Sequence, residues 1–176
     1  MATALRVYLG HGASGTAASM KPFVDGIVRR GFTASAIDLP TRKAEDAVPV
    51  LREIVPSESD VVVGGHSFGG RVASLAAAAD DAPYAALVCF SFPLHRPGAP
   101  ETAAARTAHL AQVRCPILFL SGEADPFARI GLLREIVGRL PNAELVTYPG
   151  VRHGVRPVLD DALDRVSAFL ESVTTR

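Results

Sequence analysis

Apolar positions along the chain fall into six short runs separated by longer stretches with a helical repeat. The runs are Leu5–Gly10, Phe32–Ile37, Asp60–Gly64, Ala85–Phe92, Pro116–Ser121 and Ala143–Tyr148. Several lack any polar alternation, as in Val61-Val62-Val63 and Ile117-Leu118-Phe119-Leu120. A strand apolar on both sides is a strand covered on both sides, the condition of a parallel sheet flanked by crossover helices. Between the runs, Phe127, Ile130, Leu133, Val137 and Leu140 form one apolar stripe, and Leu159, Leu163, Val166, Phe169, Leu170 and Val173 form another. Asp160 and Asp161 suit the positive N-terminal end of that last helix. Ala17–Arg30, Lys43–Val55 and Phe68–Asp80 complete the set, with Pro49 expected to kink or delay the second. The alternation predicts an α/β fold: a doubly wound, mostly parallel six-stranded sheet with helices on both faces. Pro93–Thr107, rich in Pro, Gly and Ala, is where an extra loop or a lid would sit.

A length of 176 residues predicts one domain over residues 1–176, large enough to fold without a metal or disulfide staple. Lys+Arg and Asp+Glu both number 18, and 48% of the residues are hydrophobic. The balance argues against a nucleic-acid binder, which needs a basic excess, and against a disordered chain. Lys21 and Lys43 are the only lysines, a bias we read as genome composition. The apolar stretch within Met1–Leu9 is too short for a signal peptide or a membrane span. Cys89 and Cys115 form no CxxC and are expected to be buried, reduced thiols, which fits a cytoplasmic location. The five histidines lack the short spacings of a zinc site, so no metal is expected. The oligomeric state is not legible in the pattern.

Two glycine-rich turns carry the candidate chemistry. Gly10-His11-Gly12-Ala13-Ser14-Gly15 follows the first run and is a G-x-G-x-x-G, with Asp38 at the end of the next. That matches the dinucleotide fingerprint, including an acid for a ribose hydroxyl. Gly64-Gly65-His66-Ser67-Phe68-Gly69-Gly70 follows the third run and contains G-x-S-x-G, the nucleophile-elbow motif. A sharp strand-to-helix turn holds the serine in a strained backbone, and side chains two residues either side would collide there. The same turn puts Ser67 at a helix N-terminus, whose partial charge favours a developing oxyanion. Asp125 follows the fifth run and His153 the sixth. In a parallel sheet these turns open on one edge, where ligands bind.

In these residues and their Ser-Asp-His order the chain resembles the α/β-hydrolase superfamily, over almost its whole length. More closely it is similar to small, lidless dienelactone-hydrolase-like members, including the group related to the hydrolase-like subunit of the nonspecific-lethal acetyltransferase complex. The further cues are His11-Gly12-Ala13-Ser14-Gly15, Phe92-Pro93-Leu94-His95-Arg96-Pro97-Gly98 and Ser121-Gly122-Glu123-Ala124-Asp125-Pro126-Phe127. Two leading antiparallel strands of the full fold and a cap domain are absent from the pattern. The resemblance implies Ser67 as nucleophile, His153 as general base and Asp125 as its orienting acid. It also implies oxyanion donors in the backbone N–H groups of Ala13 and Phe68. The expected activity is hydrolysis of a small ester or thioester through an acyl-enzyme, without a cofactor. An open, lidless pocket favours short acyl groups.

Each residue has a plainer reading. Ser67 could cap the third helix, Asp125 could form the turn before Pro126, and His153 could be an exposed loop residue. Glu123 competes weakly with Asp125. His11, His95 and Phe127 are candidate substrate contacts, with a structural hydrogen bond the alternative for His11 and core packing for Phe127. Phe68, Phe92 and Leu94 could line an acyl pocket or belong to the core. His66 is expected to be a packed elbow residue, and His109 to lead into the next strand. Asp38 is expected to cap a strand end or touch the first glycine turn. Two other functions stay open: a nicotinamide-dinucleotide domain using Gly10, Gly12, Gly15 and Asp38, and a hydrolase-shaped interaction module with an idle triad.

Overall fold

The computed structural model describes residues 4–175; the first three residues of the N-terminal stretch and Arg176 lie outside them. Six strands form: β1 (Arg6–Gly10), β2 (Thr33–Ile37), β3 (Val61–His66), β4 (Ala86–Phe90), β5 (Ile117–Gly122) and β6 (Ala143–Tyr148). They make one sheet in the order β2-β1-β3-β4-β5-β6, with every neighbouring pair parallel. The helices are α1 (Lys21–Arg29), α2 (Ala44–Ile54), α3 (Phe68–Ala77), α4 (Ala103–Thr107), α5 (Ile130–Gly138) and α6 (Leu159–Thr174).

The unalternated runs are explained by two cores, one on each face of the sheet. Val61 and Val63 of β3 pack with Leu51 of α2, Val72 of α3 and Leu133 of α5. Val62, between them, packs on the other face with Phe23 of α1 and Leu163 of α6. The winding direction of the sheet reverses at β1, so a crevice opens between the carboxyl ends of β1 and β3. Gly10 pairs in register with Gly65, so the two glycine-rich turns leave the sheet side by side.

Three local expectations are revised. Helix α2 begins at Ala44 and runs through Pro49, so the proline neither delays nor ends it. It stands in the interior of the helix, where its missing N–H removes one intrahelical bond and the helix continues to Ile54. Helix α5 begins at Ile130, which leaves Phe127 in a loop instead of on the helical stripe. The Pro93–Thr107 stretch is partly ordered: after an Arg96–Ala99 bridge it forms a short 3-10 turn, Pro100–Thr102, and then α4. Cys89 is fully buried and Cys115 half-buried, both as free thiols; burial raises both thiol pKa values. No helix among the described residues is long and apolar enough to cross a membrane.

Candidate active site

The β3–α3 turn bends as the motif requires. Ser67 has φ 48° and ψ −113°, a strained conformation for a residue with a side chain. A Cβ at Gly69 or at Gly65 would run into the backbone of Gly10, so this elbow closes only because those positions are bare. Ser67 stands at the N-cap of α3 but its side chain makes no cap bond. Its Oγ lies instead 2.9 Å from Nε2 of His153, 86 residues away along the chain.

The imidazole of His153 reaches onward to Asp125, with Nδ1 2.8 Å from Oδ2. A carboxylate only accepts, so Nδ1 carries the proton and Nε2 is left to accept from the serine hydroxyl. Asp125 has a fully buried side chain, and its second oxygen accepts the N–H of Phe127 at 2.8 Å. Both carboxylate oxygens are thereby committed. The ring of Phe127 lies tilted against His153 with centroids 4.4 Å apart, and His66 lies beside the same imidazole at 5.4 Å. Burial, followed by the neighbouring His153, lowers the His66 pKa to about 4, so this ring is neutral at physiological pH.

The loops that carry Asp125 and His153 are sewn together by backbone. Glu123 N–H donates to Tyr148 O and Ala124 N–H to Val151 O, both at 2.9 Å. A Cβ at Gly122 would strike the carbonyl of Val151. Ser91, past the end of β4, has φ 53°, and its hydroxyl accepts the N–H of Gly154 at 3.1 Å. This part-buried contact pins the residue that follows His153. Sequence reasoning passed over Ser91; its only signal is a hydroxyl inside the apolar run Val88–Phe92.

Phe68 opens α3, so its N–H belongs to the first turn, which lacks an intrahelical acceptor. The turn after β1 is closed by Gly15 N–H donating to Gly12 O at 3.0 Å. It lies over the elbow: a Cβ at Gly12 would sit 4.0 Å from that of Ser67. Ala13 and Phe68 thus come from the two segments that meet at the serine.

His11 and His95, expected as candidate substrate contacts or, for His11, a structural hydrogen bond, are both held by backbone groups. Each is almost fully buried and has both ring nitrogens occupied by backbone. Nδ1 of His11 is 2.8 Å from Gly12 O, and its Nε2 accepts Leu39 N–H at 3.0 Å. His95 repeats the arrangement with Arg96 O at 2.8 Å and Arg129 N–H at 3.0 Å. Each therefore clips two neighbouring loops at the carboxyl edge of the sheet. Phe92 and Leu94 are fully buried in the core. Asp38 accepts the N–H of Ala17 at 2.7 Å, just past the first glycine turn. Glu123 bonds Thr147 and Arg134 and stands apart from the imidazole chain. His109 is tied to Ser74 at 2.8 Å. Among the described residues no cluster of His, Cys, Asp and Glu could hold a metal.

A buried carboxylate, an imidazole with its basic nitrogen turned to a hydroxyl, and a strained turn at a helix N-terminus lie together at one edge of an α/β sheet, the arrangement that activation of a hydroxyl nucleophile requires. A family model described as alpha/beta hydrolase domain matches residues 39–164, and the chain belongs to that family. Solved structures agree in fold along nearly the whole length. The monoacylglycerol lipase of Paleococcus ferrophilus is 14% identical with a TM-score of 0.82, over 96% of this chain and 94% of that one. An esterase of Pyrococcus furiosus is 18% identical with a TM-score of 0.77, over 97% and 81%. E-2-(acetamidomethylene)succinate hydrolase is 17% identical with a TM-score of 0.73, over 96% and 91%.

Proposed function

We propose that the protein is a serine hydrolase that cleaves a small ester or thioester through Ser67, His153 and Asp125. The observation that carries this reading is the unbroken chain from Ser67 Oγ to His153 Nε2, at 2.9 Å, and from His153 Nδ1 to Asp125 Oδ2, at 2.8 Å. His153 takes the Ser67 proton as Oγ bonds to the acyl carbon, and the backbone N–H groups of Ala13 and Phe68 hold the resulting oxyanion. Collapse expels the alcohol or thiol, which leaves with that proton. Water then repeats the sequence on the acyl-enzyme, releasing the acid and restoring Ser67. Asp125 fixes the tautomer and stabilises the imidazolium throughout. The lipase and esterase neighbours are consistent with this class, and the lack of a cap domain among the described residues suits short acyl groups.

The dinucleotide reading has less support. Gly10, its first glycine, is packed against Gly69 and Leu39, and Asp38 is engaged by Ala17 N–H. One experiment tests the choice. Intact-mass analysis after fluorophosphonate treatment should find a single adduct on the wild type, none on Ser67→Ala and slowed labelling of His153→Ala. Turnover of activated acetyl esters should fall by about a thousandfold or more in either variant. Equal turnover by wild type and Ser67→Ala, or a stabilising shift with NAD(P) and no adduct, would overturn the proposal.

A further inference from the structure

A cavity of about 620 Å³ opens beside the imidazole of His153 and is bordered by His66. Its apolar wall comes from Met20, Phe23 and Val151, and Arg152 and Arg156 also line it. No Asp or Glu lines it. The two arginines differ from others on this surface. Arg6, Arg30, Arg52 and Arg134 each meet a carboxylate within 2.8 Å. Among the described residues, neither Arg152 nor Arg156 is in an ion pair. Arg156 is held by one bond, from its amino group to Ser19 O at 2.8 Å, which leaves most of its five N–H donors uncommitted. An apolar wall bordered by two arginines without carboxylate partners is complementary to a short carbon chain ending in an anion.

The cavity also has a definite relation to the chemistry. Phe127 lies tilted against the imidazole at 4.4 Å, whereas the cavity is lined by His66 and His153 and not by Phe127. The departing alcohol or thiol takes its proton from Nε2 of His153, so it leaves along this imidazole. We propose that the cavity receives the leaving group, and that Arg152 and Arg156 recognise a carboxylate carried on the alcohol or thiol part of the substrate. The inference deepens the serine-hydrolase reading and rests on it. His66 fits the same picture: burial first, then the charges of His153 and Arg156, disfavour its cation, so it offers a neutral wall beside two fixed positive charges.

The test compares kcat/KM for three acetyl esters: O-acetyl-4-hydroxybutanoate, the uncharged pentyl acetate and the cationic acetylcholine. Wild type should favour the anionic ester by about tenfold at low ionic strength, with the preference shrinking as salt is added. Arg152→Gln/Arg156→Gln should bring the ratio near one, and Arg156→Glu should turn it toward acetylcholine. Equal rates for the anionic and neutral esters, or a preference that survives the double substitution, overturn the proposal. So does a preference that follows a carboxylate on the acyl arm, tested with monoethyl succinate. If fluorophosphonate leaves Ser67 unlabelled and no ester turns over, the hydrolase reading fails by itself. The cavity is then judged by calorimetric titration of Ser67→Ala protein with 4-hydroxybutanoate. Binding that weakens about tenfold in the double arginine variant supports the anion site, and no binding removes it.

Discussion

Among the described residues, two with side chains occupy the left-handed region of backbone space, Ser67 at φ 48° and Ser91 at φ 53°. They end adjacent strands, and each serves the imidazole loop, one by facing His153 and the other by holding Gly154. Strain of about 1–2 kcal/mol at such a residue persists only where surroundings over-determine it. At Ser91 the surroundings are complete burial and the bond from Gly154 N–H at 3.1 Å. The two contributions can be separated. Ser91→Ala keeps the strain and loses the acceptor, and should lower stability by about 1–3 kcal/mol. Ser91→Gly loses the same acceptor but relieves the backbone, so it should be about 1 kcal/mol more stable than Ser91→Ala. Urea titrations of the two variants against wild type read this difference, and equal losses would show that strain is not stored there.

At the scale of elements, the site is assembled from loops that strands present in register and histidines fasten. His95 joins the loop after β4 to the segment that runs from Asp125 into α5 through two bonds, its backbone N–H to Phe127 O at 3.1 Å and Arg129 N–H to its Nε2, while its Nδ1 is fixed by Arg96 O within its own loop. The fastened segment includes both the acid and the ring that lies against His153. His95→Ala should therefore destabilise the fold by about 2 kcal/mol and lower kcat by several-fold while changing KM little. His95→Gln, which can still accept from Arg129, should recover part of both. A variant with unaltered kcat despite the lost stability would reduce His95 to a packing role. Arg71 acts in the same manner from α3, donating to Arg106 O at 2.6 Å and to Glu45 at 2.9 Å. It thereby ties the elbow helix to the start of α2 and to α4.

For the whole molecule, the half-buried histidines His66 and His109 set a pH limit on stability. Burial lowers the pKa values of His66 and His109 to about 4, whereas an unfolded histidine titrates near ~6.5. Between these values the unfolded chain takes up protons that the native state refuses. Stability contributed by the neutral rings is full above ~6.5 and declines as pH falls toward about 4. Denaturant midpoints measured across that window should drop, and His109→Gln, remote from the triad, should show a shallower drop than wild type. A parallel pH dependence in the variant would mean that His109 takes no part.

The local sequence was enough for the sheet and the elbow. Unalternated valine and leucine runs can only be strands covered on two faces, and Gly65, Ser67 and Gly69 announce a turn that no bulkier residues could make. Ser67, Asp125 and His153 were legible for the same reason: each follows a strand of one parallel sheet, so topology alone sends them to a common edge. The duties of His11, His95 and Ser91 were not legible. A histidine has two nitrogens whose partners here are backbone groups of other loops, and nothing in the local sequence names a partner 28 or 34 residues away. Phe127 likewise reads as part of a helical stripe until Asp125 claims its N–H and holds it in the loop. Covalent neighbours and hydrophobic period act over a few residues and write the elements. Burial, tautomer and contact between distant loops exist only once the sheet has closed, and these decided which histidine meets the Ser67 hydroxyl and which two became clips.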